Sequence, residues 1–321
     1  MLTVLVQRAG RVEKTDAVDP AWLLADAPEI VWADIEDPGE SDRILLANVF
    51  RIHELAVEDA LSEIHHPKIE TYDGLLYLIL HAIAPGAGQK AFETQDVDFF
   101  IGRNFLVTVH HSASRSIDFE RQSCLRRPDI FSDGPAGICH RLVDRMVDNY
   151  GPEVDCIEER LEKLEAEVFD TPAANPLKEL LRLKRDIASL RRVTLPQRDA
   201  VGRLARREFP QINEALAYRF RDVFDHLVRL AEEAIFLQDR ATSLLDAHLS
   251  NQSNRLNQVM RVLTIISTIF MPMAVVTGIW GMNVTIPQLP GGDAAQFWWI
   301  AGLLAVTGTT MLWGFRRMRW L

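Results

Sequence analysis

Between Val262 and Trp280 the chain carries no charged residue in nineteen positions. Roughly 20 residues at about 1.5 Å of rise cross a hydrocarbon layer about 30 Å thick. Lipid offers no partner to a backbone N–H or C=O, so a run of this kind is predicted to be a helix. A second uncharged run, Ala294–Phe315, is also long enough to cross. The loop between them, 281–293, has no Lys or Arg and one acid, Asp293. Arg255 and Arg261 precede the first run, while Arg316, Arg317 and Arg319 follow the second. By the positive-inside rule both ends lie in the cytoplasm and the short loop lies outside. Trp280, Trp298, Trp299 and Trp313 fall near the predicted ends of the spans, where aromatic belts form.

The remainder is different in kind. Of 35 basic and 45 acidic residues, three Arg and one Asp lie beyond position 261, leaving 32 basic and 44 acidic in 1–261. A net charge of −12 on that part argues against nucleic acid and for tolerance of cations. Cys124, Cys139 and Cys156 have no metal-ligand spacing and suit reduced thiols. The start shows no cleavable signal pattern, so the spans themselves are expected to direct insertion.

Residues 1–135 are read as a cytoplasmic α/β/α domain. Strands are expected at 2–7, 30–35, 97–101 and 105–110, with a hairpin from Lys68 to Ile83 turning at Asp73-Gly74. Helices are expected at Glu40–Val49 and around Ile52–Leu61. Residues 136–210 are read as an antiparallel helical pair. Its first helix, Ile138–Phe169, is expected to bend at Gly151-Pro152, and its second runs from Pro176 with a kink at Pro196. From Gln211 to Met271 neither Gly nor Pro intervenes, which predicts one helix: a cytoplasmic stalk over 211–261, then the first span over 262–280. Leu216, Phe220, Val223, Leu227, Leu230, Ala234, Leu237 and Ala241 recur as a coiled-coil-like seam, which shifts at Leu245 and resumes at Gln252. A seam of this kind needs partners, and bundling with other copies of the chain is the expectation. A loop at 281–295, a second span at 296–315 and a basic tail at 316–321 complete the order.

The run Asn254-Arg-Leu-Asn257-Gln-Val-Met260-Arg-Val-Leu263, then Phe270-Met-Pro272, then Gly278-Ile-Trp-Gly281-Met282-Asn283 resembles the signature of CorA divalent-cation channels. The Arg-Arg-Met-Arg-Trp-Leu end resembles that family's tail. The resemblance is clearest over the last hundred residues and fainter before them. It implies an α+β membrane protein that assembles as a funnel-shaped homopentamer in a plasma membrane, the inner membrane of a bacterium. It also implies a selectivity filter at Gly281, Met282 and Asn283, and a pore lined by Asn257, Met260, Leu263, Met271 and Gly278. Two sequence departures bear on the metal: Ala274 stands where the family often has a pore threonine, and the loop after Asn283 lacks the family's acids.

Helical spacing alone reaches a compatible reading. Asn257, Met260, Thr264, Ser267, Met271, Ala274 and Gly278 fall three and four apart on one face. Small, polar and thioether side chains there can line a pore or let helices pack closely in lipid. No carboxylate lies in either span. Mg²⁺ gives up its waters reluctantly, and conduction needs weak, multiple sites, which Asn283 amides and the Gly281 and Met282 carbonyls would supply. A divalent ion moving inward gains about 4.6 kcal/mol at 100 mV, so no fuel is required. Asp246 is expected to ring the cytoplasmic mouth. The resemblance further places a regulatory divalent cation between Asp59 and Asp222 across a subunit boundary.

Mg²⁺, with Co²⁺ or Ni²⁺ as surrogates, is the expected cargo. A Zn²⁺ transporter resembling the ZntB type and a non-conducting membrane metal sensor stay open. The pairs His65-His66 and His110-His111 favour zinc only superficially and are read as surface residues. Glu58-Asp59 with His53 lacks a nucleophile and a pocket, so neither an enzyme nor a catalytic cofactor is expected.

Overall fold

Alternating apolar residues build a seven-stranded sheet with two buried faces. The computed structural model describes residues 1–24, 26–62, 66–84, 92–170, 176–282 and 292–320. The strands are β1 (Leu2–Arg8), β2 (Arg11–Thr15), β3 (Ile30–Glu36), β4 (Lys68–Tyr72), β5 (Leu75–Ile83), β6 (Thr94–Ile101) and β7 (Phe105–His110). Their order is β2-β1-β3-β7-β6-β5-β4, with β3 and β7 parallel and every other pair antiparallel. The β4–β5 hairpin turns where the sequence predicts, with positive φ at both Asp73 (47°) and Gly74 (86°).

Strand β2 is a finding that the sequence reading misses. Its residues are mostly polar and exposed, and its turn is Ala9-Gly10, with φ of 47° and 77°. Ala9 lacks the Asn or Asp that usually marks such a turn.

The two sheet faces carry different partners. Val4, Val6, Ala33, Tyr77, Ile79 and Phe100 pack with α2 (Glu54–Leu61) and with the turn of helix that continues α1 (Glu40–Ile44). Leu5, Trp32, Leu76, Leu78, Phe99 and Leu106 face the opposite way, onto the large helices. These are α4 (Gly134–Asp148), α5 (Gly151–Asp170), α6 (Leu177–Ala205) and α7 (Glu214–Trp280). Helix α3 (Arg115–Arg126), also missed from sequence, joins them through Ile117 and Cys124.

The expected continuous helix Ile138–Phe169 is two helices. Asn149 and Tyr150 form a turn between α4 and α5, and the break places the fully buried Tyr150 at a junction. Its hydroxyl donates to the His81 carbonyl (2.9 Å) and accepts from Gln197 Nε2 (3.1 Å), while Gln197 Oε1 accepts from the His81 amide (2.8 Å). The ring fixes β5 to α6 across the sheet, satisfying polar groups that water cannot reach.

A second correction concerns the α7 seam. From Leu216 to Ala241 it is buried in the core of its own chain, beside α4, α5 and α6. Sister copies are therefore not needed to cover it. From Leu249 onward the exposed apolar residues Leu249, Leu256, Val259 and Leu263 have no intrachain cover.

The chain forms two compact units, Met1–Leu245 and Asp246–Leu321. In the second, the end of α7 and α8 (Gly292–Arg317) are, among the described residues, the two helices long and apolar enough to cross a membrane. They meet at Met273 and Gly308, and the shielded residues around that contact are Ile265, Ile269 and Val276 on α7 and Leu304, Met311 and Phe315 on α8. Gly308 lets them approach, since a Cβ there would sit 2.6 Å from Met273 Cε. The methionine tip can move for one methyl group but not for a branched side chain. Gly308→Leu is expected to lower stability by about 1–3 kcal/mol. Thermal unfolding of the detergent-solubilised variant checks this, with Gly308→Ala as the mild control; equal losses from Ala and Leu would contradict it.

Candidate functional site

The polar stripe of α7 lies on the side of the helix away from α8. Asn257, Met260, Thr264, Ser267, Met271, Ala274 and Gly278 are all exposed in the single chain, as is Leu263. At 100° per residue the stripe lies opposite Ile265, Ile269, Met273 and Val276, the residues that α8 covers. The small residues of this stripe therefore do not serve α7–α8 contact, which removes the intrachain form of the packing alternative. Thr264 Oγ1 donates to the Met260 carbonyl (2.7 Å). Its proton is used, and its lone pairs are left to accept from water.

Helix α7 ends at Trp280. Gly281 N donates to the Thr277 carbonyl (2.9 Å) and Met282 N to the Ile279 carbonyl (3.4 Å). Gly281 does not take the left-handed backbone; a Cβ there would stand 3.0 Å from the Thr277 carbonyl oxygen. A side chain there would crowd that oxygen by a few tenths of an ångström. Asn283, the third filter residue expected from sequence, lies outside the described residues.

Asp246 is exposed on α7, eleven residues (three turns) before Asn257 and on the same face. Asp222 is exposed further up the same helix. Asp59 is on α2, on the other side of the sheet. Because α2 and α7 belong to the cores of opposite sheet faces, one chain cannot bring Asp59 and Asp222 together.

Asp59 has a partner that the sequence reading misses. Lys68 Nζ on β4 lies 2.6 Å from Asp59 Oδ2 and 3.0 Å from Glu70 Oε2. Tyr72 donates to the same Glu70 oxygen (2.8 Å). Burial would lower the Lys68 pKa, but its hydrogen bonds to Asp59 and Glu70 raise it overall. Nothing in the local pattern signals this pair, because the two residues meet only when α2 folds over the β4 edge. His53, nearby, is the N-cap of α2: its Nδ1 accepts from the Leu55 amide (3.2 Å).

Behind this cluster Tyr77 donates to Asp98 Oδ1 (2.6 Å). Burial pushes the Asp98 carboxyl up to about 7, further than the Tyr77 hydrogen bond holds it down. On the opposite half of the sheet, His110 corrects the surface reading of the histidine pairs. It is buried, with Nε2 3.2 Å from Asp34 Oδ1, and Asp34 also accepts from Thr108 Oγ1 (2.6 Å) and Arg121 Nη1 (3.2 Å). Burial would lower its pKa, yet Asp34 raises it overall. His65 lies outside the described residues. Among the described residues no group of three or more His, Cys, Asp and Glu side chains is placed to hold a metal.

Residues 28–317 match the family described as CorA-like Mg²⁺ transporter protein. The chain belongs to that family. It is 33% identical over 299 residues to YfjQ of Bacillus subtilis, covering 92% of this chain and 87% of the relative. It is 29% identical over 314 residues to the cobalt/magnesium transport protein CorA of Thermotoga maritima, covering 96% and 88%. The complete structure of the CorA magnesium transporter from Methanocaldococcus jannaschii superposes with a TM-score of 0.84 at 22% identity, covering 100% of this chain and 99% of that one. That likeness establishes the fold: an α/β domain, a long helix and two apolar C-terminal helices. As a CorA-family divalent-cation transporter, the chain turns toward its membrane half a stripe that offers hydroxyl, thioether and carbonyl acceptors and no carboxylate.

Asp98 yields a pH prediction. Its folded pKa lies above the usual 3.8, so between about pH 4 and 7 the folded chain keeps a proton that the unfolded chain has lost. Stability therefore falls as pH rises through that window. Asp98→Asn keeps the oxygen that accepts from Tyr77 and removes the charge. The variant is expected to gain up to a few kcal/mol over wild type at pH 8 and little at pH 4. Chemical denaturation at both pH values tests it; an equal difference at the two would refute the assignment.

Proposed function

We propose that the chain is a homopentameric channel of the plasma membrane for Mg²⁺, with Co²⁺ or Ni²⁺ as surrogates, and that cytoplasmic divalent cation closes it. The observation that carries this reading is the exposed stripe Asn257–Gly278, opposite the α8 contact and continuous with Gly281-Met282. Five such stripes around one axis give a carboxylate-free pathway. Hydroxyl, amide and carbonyl oxygens accept hydrogen bonds from a hydrated cation without stripping its waters, so each site binds weakly and lets go. Met271 and Leu263 provide apolar rings that close by dewetting. Asp246 concentrates cations at the inner mouth. The N-terminal unit and α7 as far as Arg261 lie in the cytoplasm, as do both termini.

Gating rests on the acids of the N-terminal unit. The oxygen donors of Asp59 and Asp222 suit a hard cation, and the sheet between them within one chain requires that they meet from neighbouring copies. Held together by a divalent cation when the cytoplasm is replete, they clamp the closed state. Lys68 competes for Asp59 within each chain. The pair is about 30% exposed on both sides, so it is worth at most about 1 kcal/mol and can be exchanged.

Flux into proteoliposomes, compared for Mg²⁺, Ni²⁺ and Zn²⁺ with and without a pH gradient, tests the whole reading. Uptake of Mg²⁺ and Ni²⁺ without a proton requirement supports it, proton-coupled Zn²⁺ uptake replaces it with a zinc transporter, and no flux leaves a sensor. Asn283→Ala is expected to abolish selectivity in a pentamer that still elutes intact; normal selectivity would remove Asn283 from the filter. For the clamp, Mg²⁺ should protect the wild-type N-terminal unit from protease and fail to protect the Asp59→Ala, Asp222→Ala protein. Lys68→Met is expected to lower the Mg²⁺ concentration for half-protection by up to about fivefold. An unchanged midpoint would mean that Lys68 does not compete.

A further inference from the structure

The last residues of α8 form a built cap. Trp320 N donates to the Phe315 carbonyl (2.9 Å) and Arg319 N to the Arg316 carbonyl (3.2 Å), with Arg319 at φ 56°. This is the paired 6→1 and 5→2 pattern of a Schellman motif, and its usual apolar contact is present: the Trp320 ring stacks on Phe315 at 5.8 Å and 28°. The basic end is therefore pinned to the helix. Arginine occupies the left-handed position that glycine takes at lower cost, so a guanidinium is held where the backbone alone would favour no side chain. One turn back, the Arg317 guanidinium lies 5.5 Å from the centre of the Trp313 ring. Arg316, Arg317 and Arg319 are exposed.

These three cations have no carboxylate close by in sequence. From residue 247 to the end the only acid is Asp293, at the opposite end of α8. Among the described residues none of the three makes an ion pair. They stand directly after an apolar run long enough to cross a bilayer, where a crossing helix would meet lipid phosphates, flanked by exposed Trp313 and half-exposed Trp320. Such rings settle at headgroup level, and guanidinium forks match phosphate oxygens.

We propose that the capped Arg316–Trp320 end of α8 binds the phosphate of an acidic phospholipid on the inner leaflet. Arg316 and Arg319 grip the phosphate, Arg317 is steered by Trp313, and the Trp320–Phe315 stack fixes the spacing. The lipid thereby anchors the end of α8 and holds the second span at a set depth.

The test uses the full-length protein in nanodiscs of phosphatidylcholine with and without phosphatidylglycerol. Lipid retained after detergent exchange is counted by native mass spectrometry. Wild type is expected to retain phosphatidylglycerol over phosphatidylcholine. Arg319→Gly, which keeps the left-handed backbone and removes the charge, should cut that preference by up to about fivefold, the equivalent of one headgroup contact. Trp320→Ala should cut it with all charges present, and Arg11→Gln, a remote exposed charge on β2, should not. An unchanged preference in both Arg319→Gly and the Arg316→Gln, Arg317→Gln protein would overturn the site. If inorganic phosphate displaces the retained lipid as readily as soluble phosphatidylglycerol does, the lipid assignment is overturned in favour of a free-phosphate site. Size-exclusion profiles confirm that each variant remains assembled.

Discussion

One hydrogen-bonded backbone, α7, serves two solvents, and the placement of the functional residues follows from how it does so. In water it must hide an apolar stripe, and from Leu216 to Ala241 that stripe is sealed among α4, α5 and α6. In lipid an apolar side chain needs no hiding, whereas a polar one does. The same helix therefore inverts its problem beyond Arg261. Ile265, Ile269 and Val276 can face α8 or acyl chains without penalty, but the Asn257–Ser267 part of the stripe asks for water or for another polar helix. That face lies on the side that α8 leaves open, free to meet water or a polar partner.

The N-terminal unit supplies the opposite chemistry. There the sheet acts as a partition: α2 with Asp59 on one face, α7 with Asp222 on the other. Folding a single chain does not close that gap, so a site using both acids would need a second copy of the chain. Lys68 explains how Asp59 is tolerated in the meantime. Its ammonium lies against both Asp59 and Glu70 and offsets part of their charge, which eases their repulsion at the edge of the sheet.

Much of this was legible in the sequence because it depends on local pattern. The uncharged runs, the Asp73-Gly74 turn, the strands of β-branched residues and the unbroken stretch after Gln211 each state their own geometry. The errors fall where tertiary context decides. Strand β2 carries no apolar alternation, since it is an edge strand that only β1 recruits. The α4–α5 break has no stronger mark than Gly151-Pro152, because its cause is the Tyr150–His81–Gln197 ring, assembled from residues 116 positions apart at the extremes. The α7 seam has true coiled-coil spacing, yet spacing cannot say whether the knobs enter a sister chain or the chain's own helices. His110 looked like a surface histidine until β3 and β7 paired in parallel and set Asp34 beside it.

The carboxylates of the chain divide by whether their partners can be exchanged. Glu120 is buried and held by Arg141 at 2.8 Å, and Asp34 is buried among Thr108, His110 and Arg121. Removing any of those partners would strand a charge away from water, so such acids are fixed parts of the fold. Asp98 reaches the same end by keeping its proton into the neutral range. Asp59, Asp222 and Asp246 are different: each has solvent access, and Asp59 meets Lys68 through a partly exposed, exchangeable pair. A cation sensor needs acids of the second kind, since an ion can be read only where the folded chain has not already sealed the charge it would neutralise.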